Sequence, residues 1–260
     1  MSPSTLPLSS SKTLVLFDID GTLLLTSGVG IQAMADAGRD LFGPSFSVDG
    51  IEFAGQLDPL LAARLFARHG IQPTTHNHAN FRTRYRERLQ ILLQTTSRHR
   101  ALPGVLPLLT ELRLRDDIVV GLLTGNFAET GRIKLTACGI NPEWFTIAAW
   151  GDDSPHDPPS RDHLPAVAMQ RFTAAAGGGG HNNGDGRPIA PHRVVIIGDT
   201  PHDIACAKAG GCRSIGVATG KFTTHQLAAS GADLALSDLS NHGAVVEWIV
   251  SDRATLSPRS

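Results

Sequence analysis

Residues 13–22, Thr13-Leu14-Val15-Leu16-Phe17-Asp18-Ile19-Asp20-Gly21-Thr22, decide the fold. An unbroken apolar run ends in two acids two residues apart, the second of which opens the turn-forming Asp-Gly-Thr. A strand with one wet face alternates polar and apolar residues, whereas an unbroken run needs cover on both faces, as in a parallel sheet packed between helices. Comparable runs recur at 118–123, 145–148, 194–197 and 214–217, with 233–236 as an edge strand. Amphipathic stretches lie between them: Val105, Leu108, Leu109 and Leu112; then Leu164, Val167, Ala168 and Phe172; and last Val245, Val246 and Ile249. Parallel strands need such crossovers, so the pattern predicts an α/β fold, a Rossmann-like three-layer sandwich around a parallel sheet.

Residues 26–100 break this rhythm. Strand-like runs vanish, and helical spacing replaces them at Ile31, Met34 and Leu41, at Leu57, Leu60, Leu61 and Leu65, and at Phe81, Tyr85 and Leu89. The breaker Pro103-Gly104 returns the chain to the α/β pattern. The expected organisation is a core of 12–25 and 101–250, an all-helical domain of 26–100 inserted after the first strand, flexible termini at 1–11 and 251–260, and a flexible glycine-rich loop at 177–191. Arg82, Arg84, Arg86 and Arg88 read as a solvated helix face, with steering of an anionic substrate as the alternative.

Composition narrows the function classes. The 260 residues carry 23 Lys plus Arg against 24 Asp plus Glu, a net charge of -1 that gives no long-range pull on nucleic acid or an anionic membrane. No basic, apolar leader opens the chain and no apolar run approaches membrane length, so a soluble cytoplasmic protein, monomer or homodimer, is expected. Cys138, Cys206 and Cys212 lie in apolar surroundings without CxxC spacing and read as buried thiols.

Ligands of open parallel sheets collect at the carboxyl ends of strands. There the chain places Asp18 and Asp20, then Thr124-Gly125-Asn126, then Asp199-Thr200-Pro201-His202-Asp203. Asp18, Asp20 and Asp199, converging through carboxyl or carbonyl oxygens with no His or Cys cluster beside them, suit a small hard cation, Mg²⁺, and not zinc. Asp203 is placed to steady that group. For these three ends to meet, the strand ending at Asp18 must be central, flanked by those ending at Thr124 and Asp199.

Over residues 12–250 the chain resembles the haloacid dehalogenase superfamily, in particular the phosphoglycolate phosphatase-like hydrolases with a helical cap after the first motif. The resemblance rests on Asp18-x-Asp20-Gly21-Thr22, on the apolar run ending in Thr124-Gly125-Asn126, and on Gly198-Asp199-x-x-x-Asp203. It implies Asp18 as nucleophile of a small phosphorylated metabolite, Asp20 as general acid and base, Thr124, Gly125 and Asn126 as phosphate ligands, and Asp199 as a Mg²⁺ ligand. The family's third-motif lysine is missing, since no lysine lies between Lys134 and Lys208; Arg161 stands where it is usual and is expected at a solvent-facing strand end. Gln56 and Asp58 fall in the segment that sets substrate specificity, with Leu57 where Thr is usual, which argues against 2-phosphoglycolate. Asp20 speaks against a dehalogenase, and the lack of lysine in 26–100 against a phosphonoacetaldehyde hydrolase. A sugar phosphomutase and a non-catalytic phosphate-binding module remain as alternatives.

Overall fold

Strand β1 (Thr13–Phe17) pairs in parallel with β4 (Ile118–Leu123) on one side and with β6 (Val194–Gly198) on the other, in a computed structural model that describes residues 12–97, 99–177 and 188–251. Outward from these lie β5 (Ile147–Ala149), next to β4, and β7 (Arg213–Val217) and β8 (Leu234–Leu236), next to β6. The sheet is six-stranded and parallel, in the order β5-β4-β1-β6-β7-β8. The run expected at 145–148 pairs only from Ile147, because Pro142–Trp144 forms a 3-10 turn ahead of it. The termini 1–11 and 252–260, Arg98, and 178–187 of the glycine-rich segment lie outside the described residues.

Both faces of β1 are buried, as its run requires. Val15 and Phe17 pack with α4 (Val105–Arg113), α5 (Ala128–Ala137) and α9 (His242–Val250). Leu14 and Leu16 face the opposite way, against α6 (Leu164–Gly177) and α7 (Pro201–Ala209). Burying each such side chain stabilises by about 1.5–3 kcal/mol, so β1 alone anchors both layers. A short helix α8 (Thr224–Ala229) packs at the β7–β8 end. All three cysteines are free and buried.

Between two strands too short to announce themselves, β2 (Leu24–Leu25) and β3 (Arg100–Ala101), run α1 (Val29–Phe42), α2 (Asp58–Arg68) and α3 (Thr75–Thr95). β2 and β3 pair antiparallel, so the chain leaves and re-enters the core side by side. The helices have a core of their own, with Phe66 and Phe81 edge to face at 5.5 Å. Phe127, from the loop ahead of α5, closes it. The arginine face of α3 is spent on ion pairs: Arg88 with Asp40, Arg84 with Glu87 at 3.2 Å, and Arg82 with Glu129 and Asp152. Steering by Arg82, Arg84 and Arg88 therefore gives way to intramolecular pairing.

Candidate active site

Register brings the strand ends together. Phe17 lies opposite Leu122 and Ile197, so Asp18, Thr124 and Asp199 emerge at one edge of the sheet within two residues of each other. Oxygens of Asp18, Asp199 and Asp203 all lie within 4.8 Å of one another, and all three residues are buried. Burial, opposed by Arg161 and reinforced by Asp203 and Asp20, pushes the Asp18 carboxyl up to about 6. Burial together with Asp203 and Asp18 pushes Asp199 up to about 8. Three carboxylates this close favour a bound cation, which removes their mutual repulsion.

Glycines bring the backbone close against the Asp199 carboxylate. A Cβ on Gly21, whose φ of +80° already favours glycine, would stand 2.4 Å from Asp199 Oδ2, and one on Gly220 only 1.8 Å from it. The donor set is all oxygen, with the Thr22 hydroxyl donating to Asp199 at 3.3 Å. These residues fit a small hard cation. The cluster differs from the expected trio in its side chains: Asp203 is a member, and the Asp20 carboxylate is turned elsewhere, toward Lys134 and Asn126.

Lys134 is the residue that the sequence reading missed. It sits on α5, 4% exposed, and its ammonium donates to Asp20 Oδ2 at 2.5 Å and to Asn126 Oδ1 at 2.6 Å. Burial works against its charge, but Asp20, with Tyr85 and Asp58 behind it, holds it protonated above the usual lysine range. Asn126 Nδ2 donates to Asp20 and to the Thr124 hydroxyl, each at 2.9 Å, so Thr124, Asn126, Asp20 and Lys134 form one network. Gly125 has no room for a side chain, since a Cβ there would stand 2.0 Å from the Gln56 carbonyl oxygen.

Arg161 opens the 3-10 turn Arg161–His163 ahead of α6. Its guanidinium reaches Asp18 at 3.0 Å and Asp203 at 2.5 Å, and bonds the carbonyls of Gly55 and Leu123 at 3.4 Å. Only 7% of it is exposed, which corrects its expected solvent-facing position. Asp203 is fully buried; its second oxygen accepts from Thr200 N and Oγ1, a capping box that starts α7. Asp203 thus fixes the arginine, and the arginine faces Asp18.

Gln56 and Asp58 join the helical insertion to this edge. Gln56 Nε2 lies 3.2 Å from His202 Nε2, and Asp58 N–H donates to the Gly125 carbonyl at 2.7 Å. The Asp58 carboxylate accepts from Phe127 N–H at 2.9 Å and from the Thr130 hydroxyl at 3.4 Å. A cavity of about 500 Å³ opens here, lined from the core by Asp18, Asp20, Asn126, Lys134, Arg161 and Asp199, and from the insertion by residues of α1, α2, α3 and the segment 51–56.

A family model of HAD-hydrolase-like proteins matches residues 165–241. A protein named probable phosphatase IndB, from Dickeya dadantii, is 28% identical over 225 residues, covering 84% of this chain and 86% of that one. The crystal structure of CbbY from Rhodobacter sphaeroides in complex with phosphate is similar with a TM-score of 0.69 at 24% identity, over 89% of this chain and 96% of that one. A predicted phosphoglycolate phosphatase from Haemophilus somnus gives 0.62 at 20%, over 91% and 98%. Together with the strand order that gathers Asp18, Thr124 and Asp199, these likenesses show that the chain shares its fold with HAD-like hydrolases and is similar in sequence to a probable phosphatase.

Proposed function

We propose that the protein is a Mg²⁺-dependent phosphomonoester hydrolase, cytoplasmic, acting on a small phosphorylated metabolite through an aspartyl-phosphate, with the helical insertion as its cap. What carries this reading is Asp18, a buried carboxylate at the floor of the cavity, held at 3.0 Å by Arg161 and facing Asp199. Asp18 Oδ attacks phosphorus as the bond to the leaving oxygen breaks, and that oxygen takes a proton from Asp20. Asp20 then removes a proton from water as the water oxygen bonds to phosphorus, and the bond to Asp18 breaks, releasing inorganic phosphate. Asp20 suits both roles because its side chain is 41% exposed and lines the same cavity. The Thr124 hydroxyl, the Gly125 and Asn126 amides and the Arg161 guanidinium hold the phosphoryl oxygens. Asp18 and Asp199, with the Asp20 carbonyl, would hold Mg²⁺, which when bound neutralises carboxylate and phosphoryl charge where they approach.

Asp18→Asn tests the assignment. Phosphate release with Mg²⁺ should vanish, and the phosphorylated Asp18 peptide, trapped from wild type by rapid acid quench, should be missing from the variant. A variant retaining more than about a hundredth of wild-type turnover would refute Asp18 as nucleophile. Transfer of the phosphoryl group to a second hydroxyl of the substrate, without release, would mark a mutase.

A further inference from the structure

Away from Asp18, the cavity is walled by Ile31 and Met34 of α1, Ile51 and Phe53 of the segment ahead of α2, Leu61 of α2 and Tyr85 of α3. Ile31 is 40% exposed, so this apolar wall reaches solvent. The charges of the lining are five carboxylates, Asp18, Asp20, Glu52, Asp58 and Asp199, against three cations. Each cation already has an anionic partner. Arg161 lies at 3.0 Å from Asp18, Lys134 at 2.5 Å from Asp20, and Lys221 at 3.0 Å from Glu52 across the mouth.

A phosphoryl dianion placed at Asp18 takes up Arg161 and any cation held by Asp18 and Asp199. A second anion on the leaving group would then meet apolar side chains and carboxylates, with Lys134 buried against Asp20 and only Lys221, out in solvent beside Glu52, as a further cation. Placing a charge in such surroundings is unfavourable, whereas a neutral ring with an apolar face loses nothing. Size points the same way. The cavity of about 500 Å³ has room beside a phosphoryl group for a leaving group of ring size.

We infer that the substrate is the phosphomonoester of an uncharged, ring-sized alcohol with an apolar face, and that a carboxylate or second phosphate on the leaving group is selected against. The inference rests on the phosphatase reading above. It predicts that neither 2-phosphoglycolate nor a sugar bisphosphate is a good substrate.

Phosphate release by the full chain with Mg²⁺, measured on benzyl phosphate, cyclohexylmethyl phosphate, 2-phosphoglycolate, a ketose bisphosphate and p-nitrophenyl phosphate, tests it. The two neutral-ring esters should exceed both anionic substrates in kcat/KM by about 100-fold. Equal or reversed efficiencies, with p-nitrophenyl phosphate hydrolysed, would overturn the inference and leave the phosphatase reading intact. No release from any compound would overturn both. Ile31→Arg, at a half-exposed position that tolerates a long side chain, adds a cation to the wall and should narrow the gap by about tenfold, with circular dichroism confirming the fold. A folded variant with an unchanged ratio would refute the placement of the leaving group against α1.

Discussion

Removing the Arg161 guanidinium strands two buried carboxylates at once, because Asp18 and Asp203 share it. Breaking a buried ion pair on one side typically costs about 3–5 kcal/mol. Arg161→Ala should therefore lose stability on that scale in urea unfolding, besides falling about 100-fold in kcat/KM, equivalent to about 2.7 kcal/mol of transition-state stabilisation. Arg161→Lys restores one charge but not the fork, so it should recover part of both losses. Stability unchanged in the Ala variant would mean that the triad is not the anchor it looks to be. The place of Arg161 before a helix leading to a strand was legible; its burial was not, since that depends on Asp203 arriving in the first turn of α7. Lys134 was harder still. It is one lysine in the apolar stretch Ile133-Lys134-Leu135, and only the docked orientation of α5 turns it onto Asp20.

At the scale of the element, the strands could be read because burial on both faces leaves an unbroken apolar run, and the helices because a 3.6-residue period shows within three turns. β2 and β3, of two residues each, are too short to show any period, so their antiparallel pairing at the joint was not legible. The start of α2 carries a titration of its own. Burial pushes the Asp58 carboxyl up to about 6, against Lys134 and the Phe127 N–H, which act the other way. With a folded value above the unfolded one of 3.8, the folded chain keeps a proton that the unfolded chain has released across that interval. The Asp58 contribution is thus full below about pH 4 and is lost as pH rises through about 6. Asp58→Asn removes this titration. The stability of the variant relative to wild type should climb between about pH 4 and pH 7 by up to about 3 kcal/mol. A difference flat with pH in parallel urea titrations would contradict it.

Across the whole molecule, the insertion is not a self-contained body. Its apolar core includes Phe127, with Ile133 and Ala137 of α5 packed against it, and Arg82 lies over the Phe127 ring at 4.2 Å. Calorimetry should accordingly show one unfolding transition and not two. Phe127→Ala, which opens a cavity at this junction at a cost of about 3–5 kcal/mol, should lower that single midpoint by roughly 10 °C. Two resolved transitions in wild type would show that the insertion unfolds independently.

The bond from Asp58 N–H to the Gly125 carbonyl, and the close approach of the Gln56 carbonyl that only glycine at 125 permits, bear on how such a protein can diversify. Chain connectivity suggests cutting at 26 and 100, yet a helical segment exchanged there would bring one half of the joint into a turn shaped for another. A recombinant that swaps residues 56–58 together with 125–127 and Thr130 keeps the seam whole. New substrate preferences should therefore arise more readily by point changes in the wall formed by Ile31, Ile51 and Phe53 than by shuffling the helical segment as a cassette.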